Sequence, residues 1–188
     1  MLFDRYLRSS IVVLEESLSA IPQDELDRAI RLCVEAISRD KALLVCGNGG
    51  SASDAMHITG ELVGRFLKER RALNAICLSS NPSVLTAWSN DYSYDDVFAR
   101  QVEAHGRHGG VLIGISTSGN SRNVVQAARK AREIGMSVIS LTGEGGGALA
   151  PVSDVLLAAP SRETPMIQQV HICLYHYLCA RVEEAIRT

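Results

Sequence analysis

Apolar residues recur at helical spacing over about 3–20 and about 23–39. Leu14, Leu18 and Ile21 fall on one side of the first segment, and Leu26, Ile30, Cys33 and Ile37 on one side of the second; Pro22 separates them. Beyond about residue 40 the pattern changes. Short apolar runs with little alternation lie at about 42–46, 74–78, 111–115, 137–141 and 154–158, with helix-like stretches near 53–67, 82–104 and 121–134 between them. Runs such as Ala42-Leu-Leu-Val-Cys46 and Val111-Leu-Ile-Gly-Ile115 suit strands buried on both faces of a parallel sheet. Strand and helix alternate, which implies right-handed crossovers and five parallel strands. A last helix is predicted over about 165–186, with Thr164 as its N-cap and Pro165 at the first helical position. The expectation is an α/β three-layer sandwich in one domain over 1–188, with an N-terminal helical pair at about 3–39 and a core at about 40–188.

Two glycine- and serine-rich loops follow two of the buried runs: Gly47-Asn-Gly-Gly-Ser51 and Ser116-Thr-Ser-Gly-Asn-Ser121. If the strands take the flavodoxin-like order 2-1-3-4-5, the first and third are neighbours and both loops open onto one crevice at their carboxyl ends. Each loop leads into a helix whose first N–H groups and dipole favour an anion. Hydroxyls of Ser51, Ser116, Thr117, Ser118 and Ser121 add neutral donors, so a phosphate needs few basic side chains there. The plainer alternative is a pair of ordinary turns with helix caps.

His57 and Glu61 stand four apart in the helix after the first loop, and so share one face. In the last helix Gln168, Ile172 and His176 form one stripe, expected to be packed, on which a Gln and a His must find polar partners. Two imidazoles, a carboxylate and an amide oxygen suit zinc or another borderline cation. His171 is a rival ligand by type, but a straight helix turns it about 140° from His176.

Composition narrows the partners. The chain has 188 residues, 46% of them hydrophobic, and a formal net charge of −2, which disfavours a nucleic-acid surface. Lys68 to Arg71 is the basic cluster, read as a solvated helix end. The five cysteines, at 33, 46, 77, 173 and 179, form no close pair and read as reduced core residues of a cytoplasmic protein. The N-terminus lacks a signal-peptide pattern, and no segment is long and apolar enough for a membrane partner.

Together Leu44-Val-Cys-Gly-Asn-Gly-Gly-Ser-Ala-Ser-Asp-Ala-Met-His57, Glu61-Leu-Val-Gly-Arg65, Asn90-Asp91, Gly114-Ile-Ser-Thr-Ser-Gly-Asn-Ser121, Ile167-Gln168 and His176 resemble the phosphoheptose isomerases, in register over nearly the whole chain. That resemblance implies the sugar isomerase (SIS) fold, a homotetramer, and interconversion of sedoheptulose 7-phosphate with D-glycero-D-manno-heptose 7-phosphate for heptose biosynthesis. It implies substrate contacts at Asn48, Gly49, Gly50, Ser51, Glu61, Asn90, Asp91, Ser116, Thr117, Ser118, Ser121 and Gln168. It also implies one zinc per subunit at His57, Glu61, Gln168 and His176, with Glu61 and His176 as the catalytic acid/base pair. Ser53, Trp88-Ser89, Met166 and Gln169 depart from the family pattern; Trp88 reads as a core or interface aromatic that can also reshape the sugar pocket. Two rival functions are a non-catalytic regulator of the same fold, binding a phosphosugar or a replication initiator, and a metal hydrolase. The hydrolase lacks an HExxH arrangement.

Overall fold

The computed structural model describes residues 2–186. The two segments with helical apolar spacing open it as helices α1 (Phe3–Ala20) and α2 (Gln23–Ser38), parted where Pro22 takes the N-cap position of α2. Strand and helix then alternate: β1 (Leu43–Gly47), α3 (Gly50–Val63), β2 (Ala75–Cys77), α4 (Pro82–Asp91), α5 (Val97–His105), β3 (Val111–Ser116), α6 (Arg122–Glu133), β4 (Ser137–Thr142), β5 (Val155–Ala158) and α7 (Thr164–Ala185). The sheet is parallel throughout, in the order β2-β1-β3-β4-β5.

Every residue of β1 and β3 is buried, as unalternating apolar runs require. The period-2 pleat divides them between two cores. Leu43, Val45, Val111, Ile113 and Ile115 pack with α2, α3 and α7 on one face. Leu44, Cys46, Leu112 and Val138 pack with α5 and α6 on the other. These are the three layers.

Four local expectations change. The helix expected over about 82–104 breaks at Tyr92 and Ser93, because the Ser93 hydroxyl accepts from the Asp95 N–H (3.0 Å) and starts a 3-10 turn at Tyr94–Asp96. Thr164 is the first residue of α7 rather than its cap; Glu163 holds the cap position and makes no side-chain capping bond. Leu18, although it shares a cavity lining with Leu14 and Ile21, is 86% exposed. Cys33, Cys46 and Cys179 are buried and all five cysteines are free, but Cys173 is exposed. Among the described residues, no helix is long and apolar enough to cross a membrane.

Candidate active site

At the carboxyl end of the sheet β1 and β3 run side by side, with Gly47 opposite Ile115, so the loops that follow them meet. Amides lock them together. Asn48 Nδ2 donates to Asn123 Oδ1 (2.9 Å), and Asn123 Nδ2 donates to Asn48 Oδ1 (2.8 Å), which also accepts from the Tyr94 hydroxyl (2.7 Å). Asn123 and Tyr94 escaped the sequence reading. The first sits inside a helix and the second in a segment read as helix, where neither carries a local signal.

In the first loop Gly49 has φ +55° and open space where a Cβ would lie, so a ligand can approach its backbone. Ser51 is buried. A Cβ on Gly50 would strike the amide of Gln168, which brings α7 against the start of α3.

The second loop turns its hydroxyls inward. Ser116 Oγ lies 2.9 Å from Ser121 Oγ and 3.5 Å from Ser118 Oγ. Ser121 occupies the N-cap position of α6 but makes no side-chain capping bond, and Gly49 makes none for α3. The serine is spent on the loop rather than on the helix, so the ordinary-cap reading does not hold for Ser121. Beside this loop a cavity of 300 Å³ is lined by Thr117, Ser118, Glu144, Ser161 and Arg162, with Arg162 Nε on the Glu144 carboxylate at 2.6 Å. Its rim therefore offers one guanidinium. Asn90 and Asp91 stand on the exposed end of α4, where Asn90 donates to Asp91 (2.9 Å). Trp88 is half-buried, stacked on Tyr92 with Arg100 over its ring, on the edge of the second core.

Between the loops and α7 lies the titratable cluster. His57 Nε2 is 3.0 Å from Glu61 Oε1 and 3.4 Å from His176 Nε2. The three ligand atoms lie within 4.8 Å of one another, all from one chain. A tetrahedral cation with bonds of about 2.0–2.1 Å has ligand–ligand edges of about 3.3 Å, which the two contacts of His57, at 3.0 and 3.4 Å, match. Gln168, two turns earlier on α7, faces Gly50. Its stripe is not packed, since Ile172 is 40% exposed.

A second layer supports His57. Its Nδ1 is 3.1 Å from the Tyr175 hydroxyl, and the Asp54 carboxylate lies close enough to interact with both. With Nε2 facing the cluster by its lone pair, Nδ1–H donates to the Tyr175 hydroxyl. Burial pushes the Asp54 carboxyl above its ordinary value, against the Tyr175 hydroxyl and the nearby imidazole. Burial, reinforced by Asp54, pushes Tyr175 up to about 12. Tyr175 stays neutral at any physiological pH. His171 is elsewhere: fully buried, with Nε2 donating to the Thr142 carbonyl at 3.0 Å.

The SIS domain family matches residues 5–143. The phosphoheptose isomerase of Helicobacter pylori strain P12 is 51% identical over 170 residues, which cover 90% of this chain and 88% of that one. The solved structure of the phosphoheptose isomerase GmhA from Neisseria gonorrhoeae is 41% identical and superposes with a TM-score of 0.90 over 96% of both chains. One from Francisella tularensis, 36% identical, superposes with a TM-score of 0.92, again over 96% of both.

Proposed function

The chain belongs to the SIS domain family and, within it, to the phosphoheptose isomerases, and from that premise we propose that it interconverts sedoheptulose 7-phosphate and D-glycero-D-manno-heptose 7-phosphate. The observation that carries the reading is the meeting of Glu61 and His176, from helices α3 and α7, beside His57 and the two loops. A regulator that only bound the sugar would have no need of that convergence.

Aldose–ketose interconversion moves one proton between C1 and C2 and another between their oxygens, through an enediol. Glu61 takes the carbon-bound proton from one of these carbons and returns it to the other. His176 passes the second proton between the oxygens. Ser116, Thr117, Ser118 and Ser121 hold the phosphate with neutral donors, and Ser51 stands nearby. Asn48, Gly49 and Gly50 face the sugar chain, with Asn90, Asp91 and Gln168 at its hydroxyls. Zinc, one per subunit, would be held by His57, Glu61, Gln168 and His176, and would supply positive charge where the carbonyl oxygen gains electrons. Glu61 Oε1 faces His57 at 3.0 Å, which leaves its second carboxylate oxygen for the carbon proton.

The same reading carries a homotetramer, supported by the apolar face of α1, and a cytoplasmic location, supported by five free cysteines. Turnover of sedoheptulose 7-phosphate by the metal-loaded protein tests the activity. Glu61→Gln and His176→Ala are expected to lower kcat by about 10²-fold or more while phosphosugar binding stays measurable by calorimetry. Near-normal rates in both would remove the assigned roles. Metal analysis of protein purified without added metal is expected to find about one zinc per chain.

A further inference from the structure

The cationic run expected as a solvated helix end lies beyond α3, and although Lys68 and Arg71 are exposed, Arg70 is not solvated. Arg70 is 2% exposed at its side chain and faces Glu183, 1% exposed, from the last turns of α7. Glu183 Oε1 accepts from the Phe66 N–H (2.9 Å), and Oε2 accepts from Leu67 (2.7 Å) and Lys68 (2.8 Å). Three successive N–H groups thus converge on one carboxylate, a backbone anion nest. Arg70 Nε stands 3.3 Å from Oε1 without the alignment of a hydrogen bond. The guanidinium's other nitrogens work on the end of α3: Nη2 donates to the Glu61 carbonyl (2.7 Å), and Nη1 to the Gly64 carbonyl (2.8 Å).

This buried pair reaches both groups of the acid/base pair. Through Arg70 it holds the backbone of Glu61, whose carbonyl lies in the last turn of α3 where helical partners run out. Through the nest it holds Phe66, whose ring stacks on His176 at 5.5 Å between centroids and 15° between planes. A buried ion pair adds little stability over an apolar pair of the same volume. What it supplies here is a fixed position for two side chains from separate helices.

We propose that Glu183 and Arg70 form a clasp that positions Glu61 and His176 relative to one another for proton transfer, with Phe66 as its contact on the imidazole. All three are positioning residues, not catalytic ones. The inference rests on the roles proposed above for Glu61 and His176.

Steady-state kinetics on the full, metal-loaded chain tests it. In Glu183→Gln and Arg70→Lys, kcat is expected to fall about 10-fold with KM for sedoheptulose 7-phosphate within about twofold of the parent, because misplacement penalises the proton transfer and not the phosphate grip. Phe66→Leu fills much of the same space without a ring and is expected to lower kcat likewise; Phe66→Tyr keeps the ring and recovers most of that loss. A residue that only fills space would be served by leucine as well as by tyrosine. If Glu183→Gln fails to fold, as judged by circular dichroism and thermal midpoint, the Phe66 pair decides alone. Near-normal turnover in Glu61→Gln would overturn the parent reading. An inactive Glu61→Gln beside folded Glu183→Gln and Phe66→Leu that turn over within twofold of the parent would overturn the clasp alone, as would equal rates in Phe66→Leu and Phe66→Tyr.

Discussion

His171 shows what a single buried titratable residue does to this protein. Its Nε2–H is given to the Thr142 carbonyl, and Nδ1 is buried with no partner. Burial lowers its pKa from 6.5 to about 4, against the pull of the carbonyl. As pH falls from 6.5 to about 4, the unfolded chain binds a proton there that the folded chain refuses, so stability drops across that window and this group adds no further loss below it. The full difference is about 3 kcal/mol. Glu183 works in another window. Burial raises its pKa, but the three N–H groups and Arg70 more than offset this and hold it below 4.5, so its stabilisation is complete above 4.5 and is lost as pH falls through the lowered value. Thermal midpoints of metal-stripped protein between pH 8 and 4 are therefore expected to fall less in His171→Gln, whose amide can still donate to Thr142, than in the parent. Equal slopes would refute the assignment. The sequence could separate His171 from His176 by helical rotation alone. It could not show Tyr175 and Asp54 behind His57, because aromatic and acidic residues on helices have many commoner uses.

At the scale of elements, the two loops were legible because buried strands and glycine turns leave local signals. What closes them was not. The second loop leans on Gly143 to Gly147, a segment that reads as a mere strand-end turn. Gly119 has φ +67° and packs against the Gly146 backbone, while Leu149 N–H donates to the Gly119 carbonyl (3.0 Å) and Ala148 N–H to Asn120 Oδ1 (2.9 Å). Gly119→Ala must hold a side chain in left-handed backbone at about 1–2 kcal/mol and also displace Gly146. It is expected to lower the thermal midpoint and weaken phosphosugar binding together. Ser118→Ala with Ser121→Ala keeps the Gly119 backbone, so calorimetry should find binding weakened by about 30-fold, at about 1 kcal/mol of binding lost for each of the two donors, with a smaller change in stability than in Gly119→Ala. Unchanged affinity would take the phosphate off this loop. The far end of α3 illustrates the other limit of sequence. A helix read to about 67 stops at Val63, because a carboxylate more than 100 residues away takes the next N–H groups.

For the whole molecule, the order β2-β1-β3-β4-β5 is the flavodoxin-like one that the pairing of the two loops favours, while α1 leaves much of its apolar surface uncovered within a single chain. Of the 18 residues of α1 only Ser10 is buried, with its hydroxyl on the Met166 sulfur (3.6 Å). Phe3, Leu7, Ile11 and Leu18 recur at near-helical spacing and stay exposed. An isolated helix of this length is marginal in water, so burial of that stripe against another copy is the term that would keep α1 in place. Met56, next to His57 in sequence, and Ile172, one turn before His176 on α7, are exposed as well. Analytical ultracentrifugation at micromolar concentration is expected to give a tetramer. Leu7→Asp with Ile11→Asp places two charges in the stripe and is expected to give smaller species, with a thermal midpoint that is lower and more dependent on protein concentration, since assembly stabilises only the folded state. If the parent sediments as a monomer and the double variant keeps its midpoint, α1 is held by its own chain and the stripe needs another explanation.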